Sequence, residues 1–183
     1  MTRNAITHSG DNMKTIKPIF LIAFAALASE FASLPAHADD ASCKPVSDAI
    51  AKQARTPYHE TGTVNGKPFE KIYTTTTLYI GNNGRWLKTP ATPKDVLDAQ
   101  RETGSSLSDC KVMRTETIDG QRATVYAAHT QTTMPAGSGD AQIWIGASGL
   151  TLKTVSDAQV EGHKAHTDVR LTYDNVQAPA GAQ

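Results

Sequence analysis

Aromatic residues make up only 6% of this 183-residue chain, and cysteine occurs just twice. Cys43 and Cys110 form no C-x-x-C pair, so thiol-disulfide exchange has no motif to work from. Charge of one sign is lacking too, because 18 Lys and Arg balance 18 Asp and Glu. No basic run or stripe is present, which excludes the phosphate contacts of nucleic-acid binding and charge attraction to anionic headgroups. Long apolar runs are absent. The run 19–28 falls well short of the roughly 20 residues that a bilayer-spanning helix needs.

That short run is nevertheless placed as an export signal places it. Lys14 and Lys17 precede it, and the small-residue site Ala36-His37-Ala38 follows before Asp39. Positive region, apolar stretch and A-x-A site in that order predict a secretory signal peptide over 1–38. Met13 opens the charged region and is an alternative start, and Ala28 offers a competing cleavage site. Cleavage leaves a periplasmic or secreted protein with no transmembrane segment and 15 basic against 16 acidic residues. Its length suits one domain, expected over 39–175, with a flexible tail over 176–183. In an oxidising compartment two cysteines pair most simply as one disulfide. Closing 67 residues would stabilise the fold by ~4 kcal/mol in the chain-entropy treatment. The alternative is lipidation of Cys43, which Asp40 opposes by standing where a lipobox needs an apolar residue.

The punctuation of the mature chain is that of β-hairpins. Asn65-Gly66, 81–84, Asp119-Gly120, 146–149 and Glu161-Gly162 supply turn residues between runs rich in Thr, Val, Ile and Tyr. Those runs, at 58–63, 67–80, 85–88, 111–118, 122–133, 141–145, 150–156 and 163–173, predict about eight antiparallel strands. Alternation is cleanest at the end, where Thr167, Val169, Leu171 and Tyr173 share one face. The tract 74–77 reads as strand, and Gly137-Ser138-Gly139-Asp140 as a flexible connection. Two segments have helical spacing instead. Over 42–55, Pro45 suits the first turn and Val46, Ala49, Ile50 and Ala54 form a stripe. Over 92–102, Thr92 can cap, Pro93 leads and Gly104 stops the helix, but the stripe of Val96, Leu97 and Ala99 is thin. So light an anchor suggests a lid. The fold class expected is α+β, a curved antiparallel half-barrel meander with two short helices on its concave side.

No catalytic constellation emerges. His163 and His166 fall on a strand, where a three-residue spacing sends the rings to opposite faces, and no metal site is predicted. His129 has no nucleophile motif beside it, Ser148 lacks the G-x-S-x-G context, and the carboxylates are dispersed. The expectation is a non-enzyme without a cofactor.

The segment 113–120 followed by Val125-Tyr126, then Gln142-Ile143-Trp144-Ile145, Gly149-Leu150-Thr151-Leu152-Lys153 and Val169-Arg170-Leu171-Thr172-Tyr173, resembles the periplasmic lipoprotein-carrier superfamily, the LolA-like and LprG/LppX-like proteins. In that family these look like a hairpin, a W-I-D type strand, a G-L-P type turn and strand, and a closing strand. Gly146 stands where aspartate is usual, and Thr151 where proline is. The resemblance implies a sheet that shields acyl chains beneath its helices. A cavity of that kind would be lined by Leu78, Ile80, Ile143, Ile145, Leu150, Leu152, Val169, Leu171 and Tyr173, with Val96 and Leu97 on the lid. The ligand expected is a lipid, a lipoprotein acyl chain or another apolar molecule. Two other readings stay open. The same residues can form a plain core, and the protein can be an envelope interaction or sensor module with an envelope protein as its partner, anchored through Trp86 and Trp144.

Overall fold

The structure, a computed structural model, describes residues 41–82 and 84–182. The predicted signal peptide and the alternative start at Met13 lie outside the described residues. A 3-10 turn, Ala41–Cys43, leads into α1 (Lys44–Gln53). Strands β1 (Tyr58–Val64), β2 (Lys67–Tyr73), β3 (Thr77–Asn82) and β4 (Arg85–Pro90) follow, then α2 (Pro93–Glu102). The chain continues through β5 (Ser106–Ile118), β6 (Gln121–Thr133), β7 (Ala136–Gly146), β8 (Thr151–Val160) and β9 (His163–Thr172). All nine strands make one antiparallel sheet in the order β4-β3-β2-β1-β9-β8-β7-β6-β5. The hairpin signals act as expected: Asn65-Gly66, Asp119-Gly120 and Glu161-Gly162 all adopt positive φ, which matches the turn to the strand twist.

The sheet has two edges, β4 and β5, and chain connectivity sets how far apart they can be. Flat, eight spacings of ~4.8 Å would separate them by ~38 Å. Pro90 also lies at the opposite strand end from Ser106. Residues 91–105 join the two edges. A ten-residue helix spans ~15 Å, and the flanking residues at full stretch bring the total to roughly 35 Å. The sheet therefore curls until its edges approach, and α2 straps the open side. One end of the strap is held by Ala91 N–H donating to Thr76 O (3.0 Å), the other by Thr133 N–H donating to Thr103 O (3.0 Å).

Three sequence expectations are corrected. The tract 74–77 is not strand throughout. Thr74–Thr76 form the β2–β3 turn, closed by Thr74 N–H and Oγ1 donating to Thr77 O, with Thr75 at φ 70°. Threonine's high strand propensity hides a turn built by its hydroxyls. The ninth strand arises there. Residues 137–140 are not a flexible link either, but part of β7. A Cβ at Gly139 would lie 2.4 Å from Asp157 O, so the glycine admits close approach of β8 rather than flexibility. On α2, Ala99 is exposed and Gln100 takes the buried position, since Gln100 follows Val96 by four residues and shares its face.

Helix α1 is fastened tightly to the concave side. Cys43 is disulfide-bonded to Cys110 in β5. Val46 and Ala49 pack with Ala128, Ala141, Ile143 and Ile145, and Ile50 adds to this core from the side. Lys52 donates to Ser148 O beyond β7. The small alanines on β6 and β7 let the helix axis come close, because interaxial distance follows the side chains at the contact.

Candidate functional site

The register carries the floor of the concavity across the sheet. Tyr58 faces Tyr73, Glu60 lies between Lys71 and Leu171, and Val169 lies between Gly62 and Thr154, which in turn faces Ile143. Strand alternation puts all these side chains on the helix-bearing face. The Tyr58 and Tyr73 rings meet at 5.5 Å and 46°. They cluster with Ala91 and Leu171, and Leu78, Val96 and Tyr173 pack around them. Two of the three phenols of the cluster donate to backbone carbonyls, Tyr73 to Ala54 O (3.1 Å) and Tyr173 to Thr151 O (2.6 Å).

Next to the tyrosines the floor turns polar. Glu60 and Lys71 are buried at 3% and 7% exposure and form an ion pair. The Lys71 ammonium also lies 5.4 Å from the Tyr58 ring centre and 5.8 Å from that of Phe69, within cation–π range. Burial by itself would lower the Lys71 pKa, but the Glu60 carboxylate and the Tyr58 phenol outweigh it and raise the value above 10.5. Burial also raises Tyr58, with Lys71 opposing. Burial, then Tyr58 and Asp95, push Tyr73 up to about 12. Tyr173 is raised by burial, with Tyr58 and Glu60 adding to it. Further along the strands Thr154, Ser156 and Thr167 are buried on the same face, with Ser156 directly opposite Thr167.

Over this floor lies α2. Its start is well made: Thr92 Oγ1 accepts from Asp95 N–H while the Asp95 carboxylate accepts from Thr92 N–H (2.8 Å), a reciprocal cap. These bonds hold Asp95 below the usual carboxylate range. Lys94, Asp98 and Arg101 dress its outer side with ion pairs. Its middle is held lightly. Val96 packs on the tyrosine cluster, Leu97 is half-buried, and the α2 backbone approaches no strand as extensively as α1 approaches β7 and β8.

The residues picked from sequence are distributed among several surroundings. Ile143 and Ile145 lie under α1. Leu78, Val96, Leu171 and Tyr173 converge beneath α2. Leu152 packs with Ala123, Val125 and Trp144, a cluster that Tyr173 also touches. Val169 is buried in the floor, Leu150 is buried in the β7–β8 turn, and Ile80 and Leu97 are half-buried. The sequence reading passed over Tyr58, Glu60, Lys71, Tyr73 and Gln100. Their signal was phase: Tyr58-x-Glu60 and Lys71-x-Tyr73 each put one charge in step with an inward aromatic.

The outer face is busy with mutual pairing. Trp144 donates to Glu116 (2.7 Å), with Arg114 and Lys153 over its ring at 5.7 and 5.4 Å. Arg170 pairs with Asp119, and Lys153 with Asp168. An open cleft of about 300 Å³ runs between Glu116, Asp119, Trp144, Lys153 and Arg170. Trp144 is buried at 5% exposure and Trp86 half-buried, so neither ring stands out as an anchor. His59, His129 and His166 pair across strands with Glu70, Asp140 and Asp157 at 2.8–3.0 Å. Among the described residues no three His, Cys, Asp or Glu side chains gather in a metal-binding group, and no helix is long and apolar enough to cross a membrane.

No protein-family model matches the chain, and no curated protein does. Among solved structures it is similar to LprF from Mycobacterium bovis, at 12% identity and a TM-score of 0.45, over 78% of this chain and 97% of that one. It is similar also to the Mycobacterium tuberculosis lipoprotein LppX, at 10% identity and a TM-score of 0.47, over 77% of this chain and all of that one.

Proposed function

We propose that this chain is an exported cell-envelope protein that holds an apolar ligand, such as a lipid or acyl chain, between α2 and the concave face. The observation that carries the reading is the strap. Helix α2 is fastened at both ends, bridges the open side of a curled sheet, and rests in its middle on Val96 over a floor of tyrosines and Leu171. An element anchored at its ends and thinly packed between them opens locally at low cost. Apolar burial would then supply affinity, ~0.8 kcal/mol for each buried CH₂. The export signal expected over 1–38 and the single domain expected over 39–175 fit the same role.

The test is binding of a fluorescent long-chain fatty acid to delipidated mature protein, alongside Leu171→Trp. Saturable binding by the wild type, weakened several-fold in a variant that still folds, is the expected result. No binding by the wild type, together with an overpacking loss of ~1–3 kcal/mol in the variant, would leave a plain core instead.

A further inference from the structure

Gln100 is buried at 8% exposure on the inward face of α2, and its Oε1 has no hydrogen-bond partner among the described residues. Buried side-chain oxygens in folded proteins are nearly always bonded, so a free one calls for an explanation. Local groups do not supply it. The Thr103 hydroxyl is engaged by the backbone carbonyl of Gln100 (2.7 Å) and by the Ser105 hydroxyl (2.7 Å). Nor does the position demand an amide for packing, since an apolar residue would extend the stripe of Val96 and Leu97.

Gln100 lies one helical turn beyond Val96, whose side chain meets the tyrosine cluster. The space under α2 thus changes character along the strap. Where Val96 sits it is bordered by Tyr58, Tyr73 and Leu171; one turn further on, the strap presents an amide oxygen. The floor changes in the same direction along the strands, from the tyrosines to the buried hydroxyls of Ser156 and Thr167. A ligand apolar throughout would leave Gln100 unsatisfied after binding, whereas one with a hydroxyl or N–H in its enclosed part would satisfy it.

From this we infer that the ligand beneath α2 is a chain bearing a hydrogen-bond donor, and that Gln100 Oε1 accepts from that donor. The inference rests on the reading that this space holds an apolar ligand, and it adds the ligand's polar feature and the residue that selects for it. Leaving an acceptor unpaired is what discriminates against a donor-free analogue.

The experiment uses displacement of the fluorescent fatty acid from delipidated mature protein by hexadecan-1-ol and by its methyl ether, which keeps the oxygen and loses the donor. The wild type should bind the alcohol more tightly by about 3- to 10-fold, the worth of one net hydrogen bond. Gln100→Met, similar in volume and without the acceptor, should bring that ratio close to one while still binding both chains. Equal displacement by alcohol and ether from the wild type overturns the inference, whatever the variant does, and leaves the carrier reading standing. A donor preference retained in folded Gln100→Met also overturns it. If the fatty acid itself does not bind, the carrier reading falls and the inference with it.

Discussion

Helices α1 and α2 are alike on paper and different in place. Both have ten residues, proline in the first turn and a basic residue in the last turn, and both serve the concave side of one sheet. Beneath α1 the floor is alanine and isoleucine, and a disulfide ties its start to the edge strand. Beneath α2 the floor is tyrosine, beside a buried ion pair, and the ties are at the helix ends. Small side chains let one helix sink into the sheet, while large or charged ones hold the other off. Helix propensity and capping make a helix; the residues opposite decide whether it is core or cover.

The largest expected effect falls on the α2 half. Lys71→Met would leave Glu60 as a buried, uncompensated charge, costing ~3–5 kcal/mol in denaturant titrations. Adding Glu60→Leu should recover most of that loss, because an apolar pair of similar volume replaces a buried ion pair at little cost. If the single variant were as stable as the wild type, the ion pair would not be the hinge of this floor. The same group sets the alkaline limit. With its folded pKa raised, Lys71 contributes stability that is complete below 10.5 and is lost as pH climbs through the folded value. The buried phenols act in the same direction, since folding favours their neutral form above pH 10.0. Stability measured from pH 9 upward should fall in the wild type and fall less steeply in Lys71→Met.

Next in size is the direct contrast of the two halves. Ile143→Ala under α1 removes a close-packed side chain and should cost ~2–5 kcal/mol. Val96→Ala, half-buried on α2, should cost about 1 kcal/mol or less. Comparable losses from the two, seen as equal shifts of the denaturation midpoint, would mean that α2 is packed as α1 is.

The smallest effect belongs to neither half but to the outer face. Hydrogen bonds from Trp144 and Arg114 hold Glu116 below its usual range. A depressed carboxylate contributes stability above its ordinary pKa, 4.5, that is lost as pH falls through the folded value. Glu116→Gln should therefore lower stability slightly at neutral pH, leave it unchanged near pH 2 and so flatten the acid arm of the stability profile, as thermal melts from pH 2 to 7 would register.

Much of the fold was legible because its signals are local. Asn65-Gly66, Asp119-Gly120 and Glu161-Gly162 demand positive φ wherever they stand, and the Thr92–Asp95 cap needs four consecutive residues and nothing else. The candidate site was only half legible. Leu171, Leu78, Val96 and Tyr173 were reachable from apolar patterning, whereas Glu60 and Lys71 carry no apolar signal and are set face to face only by the register. Gln100 was passed over in favour of Ala99, because hydrophobicity marks which residues prefer burial and not which side a helix turns inward.

The amino-acid sequence by itself determined the class: hairpin after hairpin, two short helices with proline in the first turn, and two cysteines with no other thiol to pair with. Each of these depends on φ preferences, propensities and composition that act over a few residues or over none. Tertiary structure alone decided that β4 and β5 are the two edges, that fifteen residues must bridge them, and that the sheet curls to let them. It decided also that a charge pair and three tyrosines meet under one helix. Those outcomes depend on pairings between residues far apart in the chain, and a single sequence records no such distances.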